Sequence, residues 1–236
     1  MNKEYNEVNL KPSIGDHAHT TVKAGLSMIP IVGGPASELF SAVITPPLSK
    51  RRDEWMDSIS TALMELQGKV ENFNIENLSE NEIFITTVMQ ATQSAIRNHQ
   101  EEKINSLRNA VLNSAISIPI NEDLQMVFLN LIDSLTSWHL RILKFFTNPI
   151  VWFEQHNIIS PSFSMGSPSR VLEHAFPELR GNPEFYSKIT RDLYTQGLMN
   201  TESLNTTMTS SGAFAPRTTN MGIEFVRYIT EPVIGN

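Results

Sequence analysis

Between Asp53 and Phe146 apolar side chains recur every three or four residues, and that period constrains the fold more than any other feature of the chain. Trp55, Ile59, Leu63, Leu66 and Val70 fall on one face of a helix, with Arg52, Asp53, Asp57, Glu65 and Lys69 on the other. Gly68 weakens the last turn. In "LSENEIFITTVMQATQSAIRNH" the run Ser79–Glu82 reads as a capping box, with Leu78 as a hydrophobic staple before it. Phe84, Val88, Ala91 and Ala95 then line a second helix. Glu101–Ala115 repeats the pattern with Ile104, Leu107, Val111 and Ala115. Asn121 caps a helix carrying Leu124, Val127, Phe128 and Leu131, and a further helix uses Leu135, Trp138, Leu140, Ile142, Leu143 and Phe146. Strand alternation is nearly absent before residue 150, so the period predicts a helical bundle with short connections.

Upstream lies the most apolar stretch, "SMIPIVGGPASELFSAVI" from Ser27 to Ile44. Pro30 disfavours helix at Ile29, Gly33-Gly34 supplies a turn, and Pro35 suits the first position of a new helix. Thr45-Pro46-Pro47 is expected to end that helix. The two arms, Thr20–Ile29 and Pro35–Thr45, are each roughly 15 Å long at the α-helical rise, about half the hydrocarbon thickness of a bilayer. Glu38 would add about 2.5–3.5 kcal/mol near a bilayer centre. The primary reading is a helical hairpin buried as core; the alternative is a hairpin that enters a membrane on activation. Either way Ile29, Ile31, Val32, Leu39 and Phe40 are its contact residues. Gly33-Gly34 is not followed by Lys-Ser/Thr, which argues against a phosphate loop.

After Asn148-Pro149 the punctuation becomes dense, with Pro161, Gly166, Pro168, Pro177, Gly181 and Pro183. Short helices fit Ser169–Phe176 and Pro183–Gln196, the second burying Phe185, Ile189 and Leu193. Gly197 stands where a C-terminal cap glycine belongs. Arg217-Thr218-Thr219 leads into a last helix with Ile223, Phe225, Val226 and Ile229. From the Thr136–Phe146 helix onward the order is helix, helix, helix ending in "GLM", two short strands around a loop, then a helix opening "T-x-x-G-x-x-F". That order resembles a winged helix over roughly residues 134–230, with a longer insertion around 148–168. Lys188, Arg191 and Arg217 are its candidate contact residues. Eight basic side chains face nine acidic ones from Leu131 onward, so this region lacks the basic surface of a groove reader.

Net charge of −7 likewise argues against non-specific coating of nucleic acid. The chain has no cysteine, which removes disulfides, thiol nucleophiles and thiolate metal sites. The first twenty residues lack the basic-then-apolar order of a secretory signal, so the expected location is the cytoplasm, with membrane association on activation as the variant. The six histidines lack the partners that metal binding or catalysis needs. His17 and His19 flank one alanine, His99 has only Glu102 one turn away, and His139 sits in an apolar helix. HExxH, GxSxG and the kinase motifs are missing. The residues therefore predict no enzyme, no metal and no cofactor.

Three segments resemble the bacterial abortive-infection "alpha" proteins: "GLSMIPIVGG", "SENEIFITTVMQATQSAIRN…LIDSLTSWHLRILKFF" and "LYTQGLMN…RTTNMGIEFVRYI". The resemblance implies a bacterial protein of phage defence or growth arrest, and it brings no catalytic motif. The expected architecture is mainly α, a helical bundle followed by a winged-helix-like α+β domain with a small β-hairpin. Its divisions are a polar tail (1–19), the bundle with its apolar hairpin (20–132) and the winged-helix-like domain (133–236). The expected function is a non-enzymatic defence component acting through protein–protein contacts, with a protein partner or self-association. The alternatives are a membrane-perturbing effector using the Ala24–Ile44 hairpin and a winged-helix DNA-binding regulator.

Overall fold

A computed structural model describes residues 35–116 and 120–232, with side chains described from residue 43 onward. The chain divides into two units, Met1–Ser49 and Lys50–Asn236. The expected first arm, Thr20–Ile29, and the Gly33-Gly34 turn lie outside the described residues. The described part of the first unit is helical and belongs to α1 (Pro35–Lys69), which starts at the proline expected to start it. Pro46 and Pro47 do not end α1, contrary to expectation. The fixed φ of proline is close to the helical value, and both rings are exposed, so the carbonyls they leave without N–H partners can take water.

In the second unit α1 buries Trp55, Ile59, Leu63 and Leu66, the face its spacing predicts. The Trp55 indole N–H donates to Thr92 Oγ1 at 3.0 Å, tying it to α2 (Glu82–Arg97). The expected capping box is replaced by different local structure. Ile75–Glu80 forms a 3₁₀ turn in which Ser79 donates to the Glu76 carbonyl, and Asn81 caps α2 by accepting from the Phe84 N–H at 3.0 Å. Asparagine is as good an N-cap as serine, and here it stands nearer the first apolar turn.

Next come α3 (Glu101–Ala115), α4 (Glu122–Ser134, capped by Asn121) and α5 (Ser137–Thr147). The buried side of α4 is rotated by one residue from the expected one. Phe128, Leu129, Leu131 and Ile132 are inside, whereas Val127 is 42% exposed. Phe128, common to the expected and the observed face, packs on Phe225 and Tyr228 with ring centroids 5.3 and 5.7 Å away.

The stretch 148–168, read from sequence as an insertion, contains the short helix α6 (Pro149–Gln155) and strand β1 (Met165–Gly166). Then follow α7 (Pro168–Ala175), a 3₁₀ turn Pro177–Leu179, α8 (Pro183–Thr195), β2 (Met208–Thr209), the one-turn α9 (Ser210–Ala213) and α10 (Asn220–Tyr228). β1 and β2 pair antiparallel, Met165 opposite Thr209 and Gly166 opposite Met208. The strand that pairs with β2 therefore comes from before α7, and the loop after Gly197 contributes a single antiparallel bridge, Met199 with Thr218. Among the described residues the fold is mainly helical with this small antiparallel pairing.

On α8 Tyr186, Ile189 and Leu193 are buried, but Phe185 is 37% exposed and meets the Trp138 ring edge-on. The end of α8 is a Schellman cap. Gly197 takes φ +71°, its N–H donates to the Tyr194 carbonyl, and Leu198 N–H reaches the Leu193 carbonyl, both at 2.9 Å. The core runs without interruption from Trp55 to Ile229, past the turn between α4 and α5. Asn109 and Asn113 of α3 fasten α10 to it. Asn113 Nδ2 donates to the Tyr228 and Thr230 carbonyls at 2.7 and 2.9 Å, and Asn109 Nδ2 to the Ile229 carbonyl at 3.0 Å.

Candidate binding groove

The face of α5 opposite its buried Leu140, Leu143 and Phe146 carries Arg141 and Lys144, one turn apart. Both line a cleft of about 690 Å³ walled by α6, the α7 end and the C-terminal turn of α10, with Glu102 of α3 at its edge. The local sequence places each wall. Asn148 caps α6 by accepting from the Val151 N–H at 3.2 Å, and Pro149 takes the first helical position. This brings Trp152 and His156 into an i,i+4 stack with centroids 3.9 Å apart and planes 17° apart. His156 Nδ1 lies 2.8 Å from the Trp152 carbonyl, so Nδ1 is the protonated nitrogen of that ring. Phe176, at the C-terminal cap of α7, packs against Trp152 at 5.0 Å and Phe145 at 5.6 Å.

The charges in the cleft are paired. Arg141 Nη2 donates to Glu178 Oε1 at 2.9 Å while its guanidinium lies 4.0 Å from the Trp138 centroid and 4.9 Å from that of Phe176. Lys144 donates to Glu102, which sits in the first turn of α3 where the helix dipole favours a carboxylate. At Glu178 burial works to raise the carboxyl. Its own main-chain N–H, the Arg141 hydrogen bond and the guanidinium charge together hold it below the usual carboxylate range. These partly exposed pairs belong to the class worth about 0–1 kcal/mol, so they position the cations without locking them. The hydroxyls of the cleft are turned to main chain, Thr147 to the Leu143 carbonyl at 3.1 Å and Thr230 to the Val226 carbonyl at 2.6 Å. Neither is bonded to a base that would activate it, and the arrangement suits holding a ligand better than attacking one.

Two other polar clusters fasten helices together. Lys103 is buried, and its ammonium donates to the Asp133 carbonyl at 2.8 Å, while the Asp133 carboxylate takes Ser94 at 2.6 Å and Arg97 at 3.1 Å. Burial pushes the Lys103 pKa down against the opposing pull of Asp133. His139 accepts the Thr136 N–H at Nδ1, 3.1 Å, and presents Nε2 to Asp192 at 3.4 Å. Burial lowers its pKa, with Asp192 opposing, so the neutral ring serves here as the helix-start partner that a Glu or Gln usually supplies. Among the described residues no group of three or more His, Cys, Asp or Glu could hold a metal ion.

Of the sequence-derived contact residues, Lys188, Arg191 and Arg217 do not line this cleft. Ile29, Ile31 and Val32 fall outside the described residues, and Leu39 and Phe40 fall within α1. Lys188 and Arg191 are exposed on α8, where Lys188 pairs with Asp192. Arg217 is turned inward. Its guanidinium donates to the Gly212 carbonyl at 2.8 Å and Met208 Sδ at 3.1 Å, its N–H donates to the Phe146 carbonyl, and burial lowers its pKa. Lys188 and Arg191 thus share one helix, and Arg217 holds the 208–217 loop. Spacing within α5 and α6 could have flagged Arg141 with Lys144 and Trp152 with His156. Nothing local could have brought Glu102 or Phe176 to them. Comparison with known protein families, with curated proteins and with solved structures finds no match to this chain.

Proposed function

We propose that the chain is a non-enzymatic bacterial binding protein that works by contact at the α5–α6–α7 cleft, in the phage-defence setting its sequence resemblance implies. The observation carrying this reading is the cleft itself. It presents two cations on weak pairs and an aromatic stack, while its hydroxyls are bonded to main chain. Such a surface recognises charge and flat rings and lacks an activated nucleophile. The test is plaque formation by a set of phages on bacteria expressing the chain. Arg141→Glu with Lys144→Glu should abolish protection while circular dichroism and thermal midpoint stay unchanged; full protection by that variant would refute the reading.

The DNA-binding alternative reads the run α5, α6, β1, α7, α8 as winged-helix-like and rests on the exposed Lys188 and Arg191. Against it stand the Lys188–Asp192 pair and the inward Arg217. The membrane alternative rests on the N-terminal segment; among the described residues no helix is long and apolar enough to cross a membrane.

A further inference from the structure

Resting on the reading of the cleft as a binding site, we propose that its ligand is a free mononucleotide, with the base stacked on the outer face of His156 and the phosphate held between Arg141 and Lys144. The Trp152 ring already stacks on the inner face of the imidazole, and the Nδ1 contact with the Trp152 carbonyl fixes the ring plane. His156 is exposed and lines the cleft, and the proposal sets one more flat ring on the side of the imidazole away from Trp152.

The phosphate requirement follows from the same cleft. Arg141 offers a planar fork and Lys144 a compact point charge, the two donor types that phosphate oxygens take. Each pairs with one partly exposed carboxylate, Glu178 or Glu102, and a dianion can replace such a partner at little cost while Arg141 keeps its place against the Trp138 and Phe176 rings. A displaced carboxylate remains at the cleft edge, where it can accept ribose hydroxyls. The cavity, about 690 Å³, lies inside the size range of small-molecule sites. With two cations and two carboxylates the lining is neutral overall, so it does not concentrate a bare anion. A ligand must add stacking to charge, which singles out a base joined to a phosphate over inorganic phosphate or an apolar molecule.

The experiment is calorimetric titration of the full chain with AMP, GMP, CMP, UMP, adenosine and inorganic phosphate, with tryptophan fluorescence alongside. At least one mononucleotide should bind saturably, and adenosine and phosphate should each bind about tenfold weaker or less. His156→Ala and Lys144→Ala should each weaken binding about tenfold, the scale of one lost stacking or charge-assisted contact. Trp152→Phe, which keeps a ring under His156, should retain binding by calorimetry and lose most of the fluorescence response. Absence of saturation by any of the four up to about 10 mM, or equal binding by the His156 and Lys144 variants, overturns the proposal. Should that happen while phage protection still depends on Arg141 and Lys144, the cleft remains the contact site and only its nucleotide ligand is refuted. Nucleotide binding without any loss of protection in the charge-reversal variant would instead refute the cellular reading alone.

Discussion

Asn113 shows how much one polar residue can carry in this fold. Its amide sits at 1% exposure and donates to carbonyls at the end of α10, where a helix always leaves acceptors without partners. Asn113→Ala should lower stability by about 1–3 kcal/mol, because the buried Tyr228 carbonyl and the part-buried Thr230 carbonyl lose their donor. A shifted urea midpoint with an unchanged slope would register that loss. His139 gives a pH-dependent counterpart. Its folded pKa lies below the unfolded value of 6.5, so its contribution is complete above pH 6.5 and is lost as pH falls through the lower folded value. Asp192 is also lowered, chiefly by its Lys188 hydrogen bond, but as a carboxylate it acts at more acid pH. Wild type should therefore lose stability as pH descends below 6.5, and His139→Gln should flatten that slope. An identical slope in the variant would assign the acid sensitivity elsewhere. His139 reads from sequence as a packed or rim histidine, and it is buried; its distant partner Asp192 could not be read, because α8 reaches it only through the tertiary fold.

At the scale of elements, the joint between α8 and α10 is built from residues whose types the sequence displayed. Gly197 permits the left-handed cap of α8, and Thr219 caps α10 by accepting from the Gly222 N–H at 3.0 Å. The Thr219 hydroxyl also donates to the Gly197 carbonyl at 2.6 Å. The reason for glycine at 222 lies in packing: a Cβ there would stand 2.2 Å from the Leu198 carbonyl oxygen and 2.5 Å from Thr218 Cγ2. Gly222→Ala should thus destabilise by about 1–3 kcal/mol despite better helix propensity. Gly68, near the end of α1, has nothing within 4 Å of its Cβ position, and Gly68→Ala should stabilise by about 0.5–1 kcal/mol. Thermal midpoints of the two variants moving in opposite directions would check both claims. Local rules failed where a competing interaction won. Pro46-Pro47 sits in exposed helix where water can serve the freed carbonyls, and α4 buries Leu129 and Ile132 in place of Val127 through contacts that only the tertiary fold supplies.

For the molecule as a whole, the helices and the caps at Asn121 and Gly197 were legible because each depends on residues within one or two turns. The cleft was not, because Glu102, Arg141, Trp152, Phe176 and Val226 converge from five separate places in the chain. The sequence instead drew attention to Lys188, Arg191 and Arg217, basic residues that stand out against a neutral background. Arg217 proved to hold a loop, and its inward guanidinium illustrates how charge in a sequence marks a residue without marking its direction. The central claim is that the α5–α6–α7 cleft is the working surface. Plaquing efficiency measured side by side for Arg141→Glu/Lys144→Glu and for Lys188→Glu/Arg191→Glu tests it most directly. Protection should be lost with the cleft pair and retained with the α8 pair; protection lost only with the α8 pair would move the working surface to α8.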